Sequence, residues 1–484
     1  MEKEERPPAR RIERLYGSVA LWLLTGLFVA IGVAAAGAQS PIAGRVAILL
    51  AAYRGATTSS DLRIVRAGIR SRDPQTARIA IRAIGRLERP AAIADLAPAL
   101  RSPLPEVRAE AADAIAQAAR GLNRTVSKHP SLSAASVLSL LTMRLDVEAE
   151  QNVRAMLCES LGRVPYSSAA DVMRAEDAIL GLLNRENSVM DRLGVAKGLE
   201  ALARTSRPLR PLGARSVVSL RSLLGLRGDP PRVRRLALQA LINAADGGVI
   251  ADDLIVQGAG DQDMQVRRLA VRAAASARSE VGLAIVKQAL RDPAPIVRSE
   301  ALAAANAAVD AYSRSPEGAR DEERAQPAAG RASMPPITVE EVAHLEAARA
   351  RLTVRAIGTI ELALFTAETP ASVIRFVRLA EAGFYNGLTF DALTPEGIVQ
   401  TRAAGAPADT SPLPDETSPW PHVRGSLGFA AARGTTDGRI AIQIADDPSL
   451  DHERAVFGQV LAGIDVVDRL REGDVIEKLD ILLR

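Results

Sequence analysis

At 484 residues the chain exceeds what one hydrophobic core usually serves, so two or three domains are expected. Hydrophobic residues make up 48% and charged residues 24%, but aromatics only 3%, a globular mix that favours closely packed helices over a disordered or fibrous chain. The formal net charge of +4 is small and no Lys/Arg run alternates with aromatics, which argues against a nucleic-acid partner.

Residues 1 to 16 are polar and carry Lys3, Arg6, Arg10, Arg11 and Arg14, and an uncharged apolar stretch then runs from Gly17 to about Ala36. A helix of a soluble core rarely continues for about 20 residues without a polar face, whereas that length spans a bilayer. Residues 1–38 are therefore predicted to be a signal peptide or an N-terminal membrane anchor. The basic flank stays cytoplasmic, which places the bulk of the chain in a bacterial-type cell envelope, periplasmic or anchored to the inner membrane. Ala36-Gly37-Ala38 before Gln39 has the small-x-small form a signal peptidase accepts, and residues 17–36 stay in the membrane if uncleaved. The Arg10-Arg11 pair lacks the apolar residues expected after a twin-arginine signal.

Between about Ala43 and Ala308 a short pattern returns: an apolar residue followed by Arg, then apolar residues four, five and eight positions after the first. The copies are Val107-Arg108 with Ala111, Ala112 and Ile115; Val153-Arg154 with Leu157, Cys158 and Leu161; and Val233-Arg234 with Ala237, Leu238 and Leu241. Val266-Arg267 with Ala270, Val271 and Ala274, and Val297-Arg298 with Ala301, Leu302 and Ala305, follow. Ala77-Arg78 and Asp191-Arg192 open looser copies. These offsets share one stripe of an α-helix, so each copy is an amphipathic helix with a narrow, small-residue face.

Successive arginines stand 30, 46, 38, 42, 33 and 31 residues apart, the period of helix-pair solenoids. Asp73-Pro74, Ser102-Pro103, Asp229-Pro230 and Asp292-Pro293 precede several copies and are expected to cap them. The arginines are expected on solvated faces or in ion pairs between repeats. The pattern resembles HEAT repeats over 43–308, which implies a scaffold with a protein partner on its concave face. Cys158 falls in the packing register and is expected to be buried. A single cysteine excludes an internal disulfide, and His129, His344, His422 and His452 show no metal-ligand spacing, so neither metal nor cofactor is expected.

Residues 309–351 read as a flexible linker and short helix. From about Ser313 to Pro336 the chain is rich in Pro, Gly, Ala and charge and has no apolar period. Thr338 to Arg351 is predicted as a charged helix, capped by Thr338 with Glu341 three residues on. The domain beyond is expected to move relative to the solenoid.

From Leu352 the apolar period becomes two, and strands on either side of Gly358 are predicted. Pro370 to Ala382 is an amphipathic helix with Val373, Phe376, Val377 and Ala380 on one face, ended by Gly383. Then come Tyr385, Gly387 and Phe390 in a Tyr-x-Gly-x-x-Phe turn, Gly425-Ser426-Leu427-Gly428-Phe429-Ala430, Val456-Phe457-Gly458-Gln459-Val460, Gly463 and Gly473-Asp474. With these motifs in this order, residues 352–484 resemble the cyclophilin-type peptidyl-prolyl isomerases. The resemblance implies a closed eight-stranded β-barrel with two flanking helices. The expected fold class is thus multi-domain α + β, an α-solenoid followed by that barrel.

The resemblance also implies an activity on X-Pro bonds of client polypeptides. Rotation about that bond is slow because amide resonance sets a barrier near ~20 kcal/mol. In the family an arginine donates toward the prolyl nitrogen and draws its lone pair out of resonance, a contact that strengthens in the transition state. Here that position is Ala392, so no catalytic residue is intact. Gly397 stands where an aromatic is usual, Ile440 replaces a substrate-binding Gln, Ile442 a pocket Phe, Ser449 a rim Trp, Arg454 a His and Ala431 an Asn. The remaining proline pocket is assigned to Ile398, Gln400, Ala430, Ala432, Ile442 and Leu450, each of which also fits plain barrel packing. Arg402, Arg439 and Arg454 are candidates for a substitute cation.

Three functions stay open. The first is an exported isomerase whose HEAT array presents clients. The second is a catalytically inactive, cyclophilin-like peptide-binding or scaffold protein. In the third, only the solenoid binds and the barrel pocket stays empty.

Overall fold

Each Val-Arg pair lies in the first turn of a helix, and a partner helix or helical turn precedes it. The computed structural model describes residues 41–483 except 57, 124–132, 186, 246–247, 314–336, 392–396, 403–412, 414–415, 417 and 431–437. The export segment, its Ala36-Gly37-Ala38 and Arg10-Arg11 motifs, and most of the predicted tether lie outside the described residues. The helices are α1 (Pro41–Tyr53), α2 (Ser59–Ile69), α3 (Pro74–Arg86), α4 (Pro105–Ala119), α5 (Ala134–Val147), α6 (Gln151–Arg163) and α7 (Ala169–Gly181). They continue with α8 (Val189–Ser206), α9 (Ala214–Gly225), α10 (Pro231–Ala244), α11 (Asp252–Ala259), α12 (Met264–Ala277), α13 (Glu280–Ala289) and α14 (Pro295–Ser313). Helices α1, α3, α4, α6, α8, α10, α12 and α14 pack against one another in that order as an inner layer, with the others outside.

Small residues set how closely the inner helices approach. A side chain on Gly198 of α8 would stand 2.5 Å from the Cys158 carbonyl oxygen of α6. Cys158 itself is wholly buried, as its register implies, and burial pushes its thiol pKa up. Leu302, at the equivalent register of α14, is exposed. It lies on the last inner helix of the described array, with no further repeat to cover it.

The repeat arginines are ion pairs between neighbours. Arg108 forks onto Glu148 (2.8 and 2.9 Å), Arg154 onto Asp191 (2.8 and 2.9 Å) and Arg192 onto Asp229 (2.5 and 2.6 Å). Arg234 forks onto Asp261 and Arg267 onto Asp292, each at 2.7 and 2.9 Å. The free side of the guanidinium donates to the turn before its own helix, as Arg108 does to the Ser102 and Pro103 carbonyls at 3.0 and 3.1 Å. Arg108, Arg154, Arg192, Arg234 and Arg267 thus clamp their own turn to the carboxylate of the next repeat.

That demand overrides part of the expected capping. Asp73 caps α3 through the Thr76 amide at 2.9 Å, as predicted. Helices α4 and α10 instead begin after Leu104 and Pro230 without a side-chain cap. Asp229 holds Arg192, and Asp292 holds Arg267 while accepting the Ala294 amide at 2.8 Å.

Helix α15 (Val339–His344) carries the predicted capping box between Thr338 and Glu341. It ends early, because strand β1 (Arg349–Val354) takes the residues expected to continue it. Then follow β2 (Gly358–Leu364), α16 (Pro370–Glu381), β3 (Ile398–Gln400), β4 (Ser426–Phe429), β5 (Ile440–Gln443), β6 (Gly458–Ala462), α17 (Ile464–Arg469) and β7 (Ile476–Leu482). The strands form one antiparallel sheet in the order β3-β5-β4-β6-β2-β1-β7.

The expected closed, eight-stranded barrel is therefore not formed among the described residues; the sheet is curled and seven-stranded. The eighth place falls to Thr389 and Phe390, which make isolated bridges to Val475 beside β7 and to Thr401 beside β3. Phe376 of α16 fills the core, its ring 5.4 Å from both Tyr385 and Phe457.

Among the described residues the carboxy-terminal domain packs on the solenoid. Residues 41–484 form one compact unit, with the loop after β5 laid on the inner helices of the solenoid.

Candidate functional site

Strand β3 pairs with β5 so that Ile398 lies opposite Gln443, Val399 opposite Ile442 and Gln400 opposite Ala441. Directly opposed residues share a face of the sheet. One face therefore carries Ile398, Gln400, Ala441 and Gln443. Val399, Ile442 and Leu427 share the other, at 3, 0 and 0% exposure, inside the core.

The structure thus places Ile398 and Gln400 on one face of the sheet and Ile442, with Ile440, on the other. A strand has a side-chain period of two, so residues 440 and 442 of β5 face opposite to 441 and 443. Ala441 takes the place on the groove face. Ala430 follows Gly428 on that face by alternation and is half-buried, as is Leu450 in the one-turn helix Pro448–Leu450. Ala392 and Ala432 lie outside the described residues. Gln443 is buried, and its Oε1 has no hydrogen-bond partner among the described residues.

Gly397 opens β3 with φ 82°, a left-handed conformation that favours glycine. A side chain there would meet Ala445 Cβ at 2.3 Å, and Arg268 Nη1 and Ile296 Cδ1 at 3.1 Å each. The groove strand therefore starts against helices α12 and α14. Its missing aromatic has no room.

Next to the groove, the loop 444–453 makes a polar seam with the inner helices. Gln265 Nε2 donates to the Ile444 carbonyl at 3.1 Å and Arg235 Nη1 to the Asp446 carbonyl at 2.5 Å. Arg232 reaches Asp451 at 3.0 Å, and Arg120 pairs with Glu453. His452, held at φ 65°, pushes its ring between two helices: Nε2 donates to Glu159 Oε1 at 2.9 Å and Nδ1 lies 3.1 Å from Asp113 Oδ1.

These carboxylates are strongly acidic despite their burial. Burial alone would raise Glu159, but Lys197 at 2.6 Å, His452 and Arg163 hold it well below the usual carboxylate range. Burial likewise opposes Asp451, yet the hydrogen bond from His422, Arg232 and Lys197 bring its pKa to about 2. At the far end, Glu416 accepts the Ala371 and Ser372 amides that open α16, at 2.9 and 2.8 Å, and the Tyr53 hydroxyl from α1.

The family model described as cyclophilin type peptidyl-prolyl cis-trans isomerase/CLD matches residues 349–482, and the HEAT repeats model matches 62–128. A peptidyl-prolyl cis-trans isomerase of Helicobacter pylori is 35% identical over 130 residues, which cover 25% of this chain and 80% of that relative. The chain belongs to the cyclophilin-type peptidyl-prolyl isomerase family. Peptidyl-prolyl cis-trans isomerase B of Bacillus subtilis is 31% identical over 128 residues (25% of this chain, 90% of the relative). A peptidyl-prolyl cis-trans isomerase of Synechococcus elongatus is 35% identical over 134 residues (26% and 90%).

Within this cyclophilin domain the three candidate cations differ in position. Arg402 is exposed and committed to Asp391 at 2.8 Å and Glu472 at 2.6 Å, which raise its pKa further. Arg439 is half-buried just before β5. Arg454 is half-buried after the Leu450 turn, where its amide donates to the Leu450 carbonyl at 3.2 Å. The groove-side residues that sequence reasoning missed are those of the HEAT array: Arg235, Gln265, Arg268 and Ile296. For Arg235 and Arg268 the signal was a polar stripe, each standing one turn before a polar residue of the same helix, Gln239 and Arg272.

Proposed function

We propose that the cyclophilin domain takes X-Pro segments of client polypeptides on the face carrying Ile398, Gln400, Ala430 and Leu450, and acts on them as a peptidyl-prolyl isomerase. The HEAT array holds that face in a fixed setting. The observation that carries this reading is the pairing of β3 with β5, which sets apolar Ile398 and polar Gln400 side by side where a ring and a peptide backbone would lie. Export by residues 1–38 would put this activity outside the inner membrane. Fractionation of cells, with amino-terminal sequencing of the recovered protein, tests that part.

A second reading is binding without turnover. It is favoured by Ala392 at the family's arginine position and by the commitment of Arg402 to two carboxylates. An NMR-exchange isomerase assay on the full chain, run beside peptide-binding measurements, decides between them. Exchange above background supports the first reading. Binding without exchange supports the second, and the absence of both rejects the groove as a client site.

A further inference from the structure

A cavity of about 280 Å³ lies between the inner helices and the cyclophilin domain. Its wall holds Arg204, Arg235, Arg268 and Arg272 against the carboxylates of Glu200, Asp446 and Asp447. Most of these charges have clear partners: Glu300 holds Arg268 and Arg272 at 2.9 Å each, and Arg204 reaches Glu200 at 3.3 Å.

Arg235 differs from the rest. It is 6% exposed, and apart from the bond of Nη1 to the Asp446 carbonyl its guanidinium is poorly met. Nη2 stands 3.4 Å from Asp446 Oδ2, and neither Nε nor Nη2 has a hydrogen-bond partner among the described residues. Buried polar groups are rarely left so, because each unmade hydrogen bond carries its full desolvation cost. Burial also lowers the pKa of this arginine, so the nearby carboxylates do not fully compensate its charge.

The cavity adjoins the groove at two points. Arg268 in its wall touches the place where a Gly397 side chain would start, and Gly397 precedes Ile398. Pro448 in its wall stands in the same one-turn helix as Leu450. A polypeptide with its proline at Ile398 and Leu450 therefore runs a flanking residue toward the arginines.

We propose that this cavity is a side-chain subsite of the groove that takes one carboxylate of the client, so that the chain selects X-Pro segments flanked by aspartate or glutamate. The inference rests on the client-binding reading given above. Arg235 lines the cavity, and a carboxylate there would give its guanidinium a fork partner once the side chain turns to present Nε and Nη2. Asp446 and Asp447 in the same wall disfavour a dianion such as phosphate and leave room for a single negative charge. A carboxylate could come from a side chain of the client or from a free small acid.

The test uses the full chain and three fluorescent peptides that differ only in one residue flanking proline: Glu, Gln or Lys. The Glu peptide is expected to bind at least about tenfold more tightly than the Gln peptide, with Lys weakest. Arg235→Met is expected to bind the Glu and Gln peptides equally, and Arg235→Lys to keep part of the difference. Thermal melts of both variants establish that they are folded. Excess acetate that erases the Glu advantage without displacing the Gln peptide also supports the subsite, and shows that it accepts free carboxylate. Equal affinity of Glu and Gln peptides for the unaltered chain overturns the inference, as does an advantage that survives in Arg235→Met. If no X-Pro peptide binds, the groove reading itself fails and the inference falls with it.

Discussion

The HEAT array and the seam beneath the cyclophilin domain both set arginines against carboxylates, but under different rules. In the array Arg108, Arg154, Arg192, Arg234 and Arg267 each meet the turn of their own repeat and one acid of the next, from 25 to 40 residues away. At the seam the partners are hundreds of positions apart, as in Arg120–Glu453 and Arg232–Asp451, and Arg235 keeps unmet donors. A fully paired ladder makes a rigid platform. An incompletely paired seam leaves binding capacity next to the groove that it positions.

Breaking the ladder should cost most. Arg154→Ala leaves Asp191 buried without its charge partner, and urea unfolding of the full chain is expected to show a loss of about 3–5 kcal/mol. The double change Arg154→Met with Asp191→Leu is expected to recover most of it, because an apolar pair of similar volume avoids the desolvation of two charges.

Gly397→Phe attacks the seam where the groove begins. The left-handed backbone and the nearby Ala445, Arg268 and Ile296 leave no space, so a loss of at least about 2 kcal/mol is expected. Hydrogen exchange should rise first in β3 and in the parts of α12 and α14 that face it. A loss confined to β3 would mean that the solenoid does not depend on this contact.

The seam should also weaken in acid. Asp451 has a folded pKa of about 2, below its unfolded value, so its contribution is complete above about pH 4 and fades as pH falls toward 2. The shift corresponds to about 2 kcal/mol at neutral pH. Asp113 and Glu159, also depressed, act in the same direction. Melting temperatures measured from pH 6 to pH 3 should fall less steeply in Asp451→Asn than in the unaltered chain.

The smallest effect is expected for Arg402→Ala. Its ion pairs with Asp391 and Glu472 are solvent-exposed, so urea unfolding should show almost no change in stability. Isomerase exchange should also be unchanged. A large drop in exchange would make Arg402 a working cation of the groove and sharpen its contrast with Arg235.

Much of this architecture was legible in the chain. The Val-Arg repeat gave the inner helices and the burial of Cys158, because a helix shows its packed stripe at fixed offsets. The polar stripe was also present. Asp113, Glu159, Lys197, Gln239 and Arg272 each stand five residues after a repeat arginine, a position that the small-residue pattern ignores. The strands were harder. Ile440 and Ile442 are apolar and suit either face, and only their pairing with Phe429, Leu427 and Val399 shows that they face the core.

By itself the sequence determined the helix-pair array and the order of elements in the cyclophilin domain, since both are written in local periods and motifs. The tertiary structure decided which face β5 gives to the groove, that Gly397 is crowded by the solenoid, and that the domain packs on the solenoid. Those features depend on strand register and on charges brought together from distant parts of the chain, and neither leaves a local period for the sequence to display.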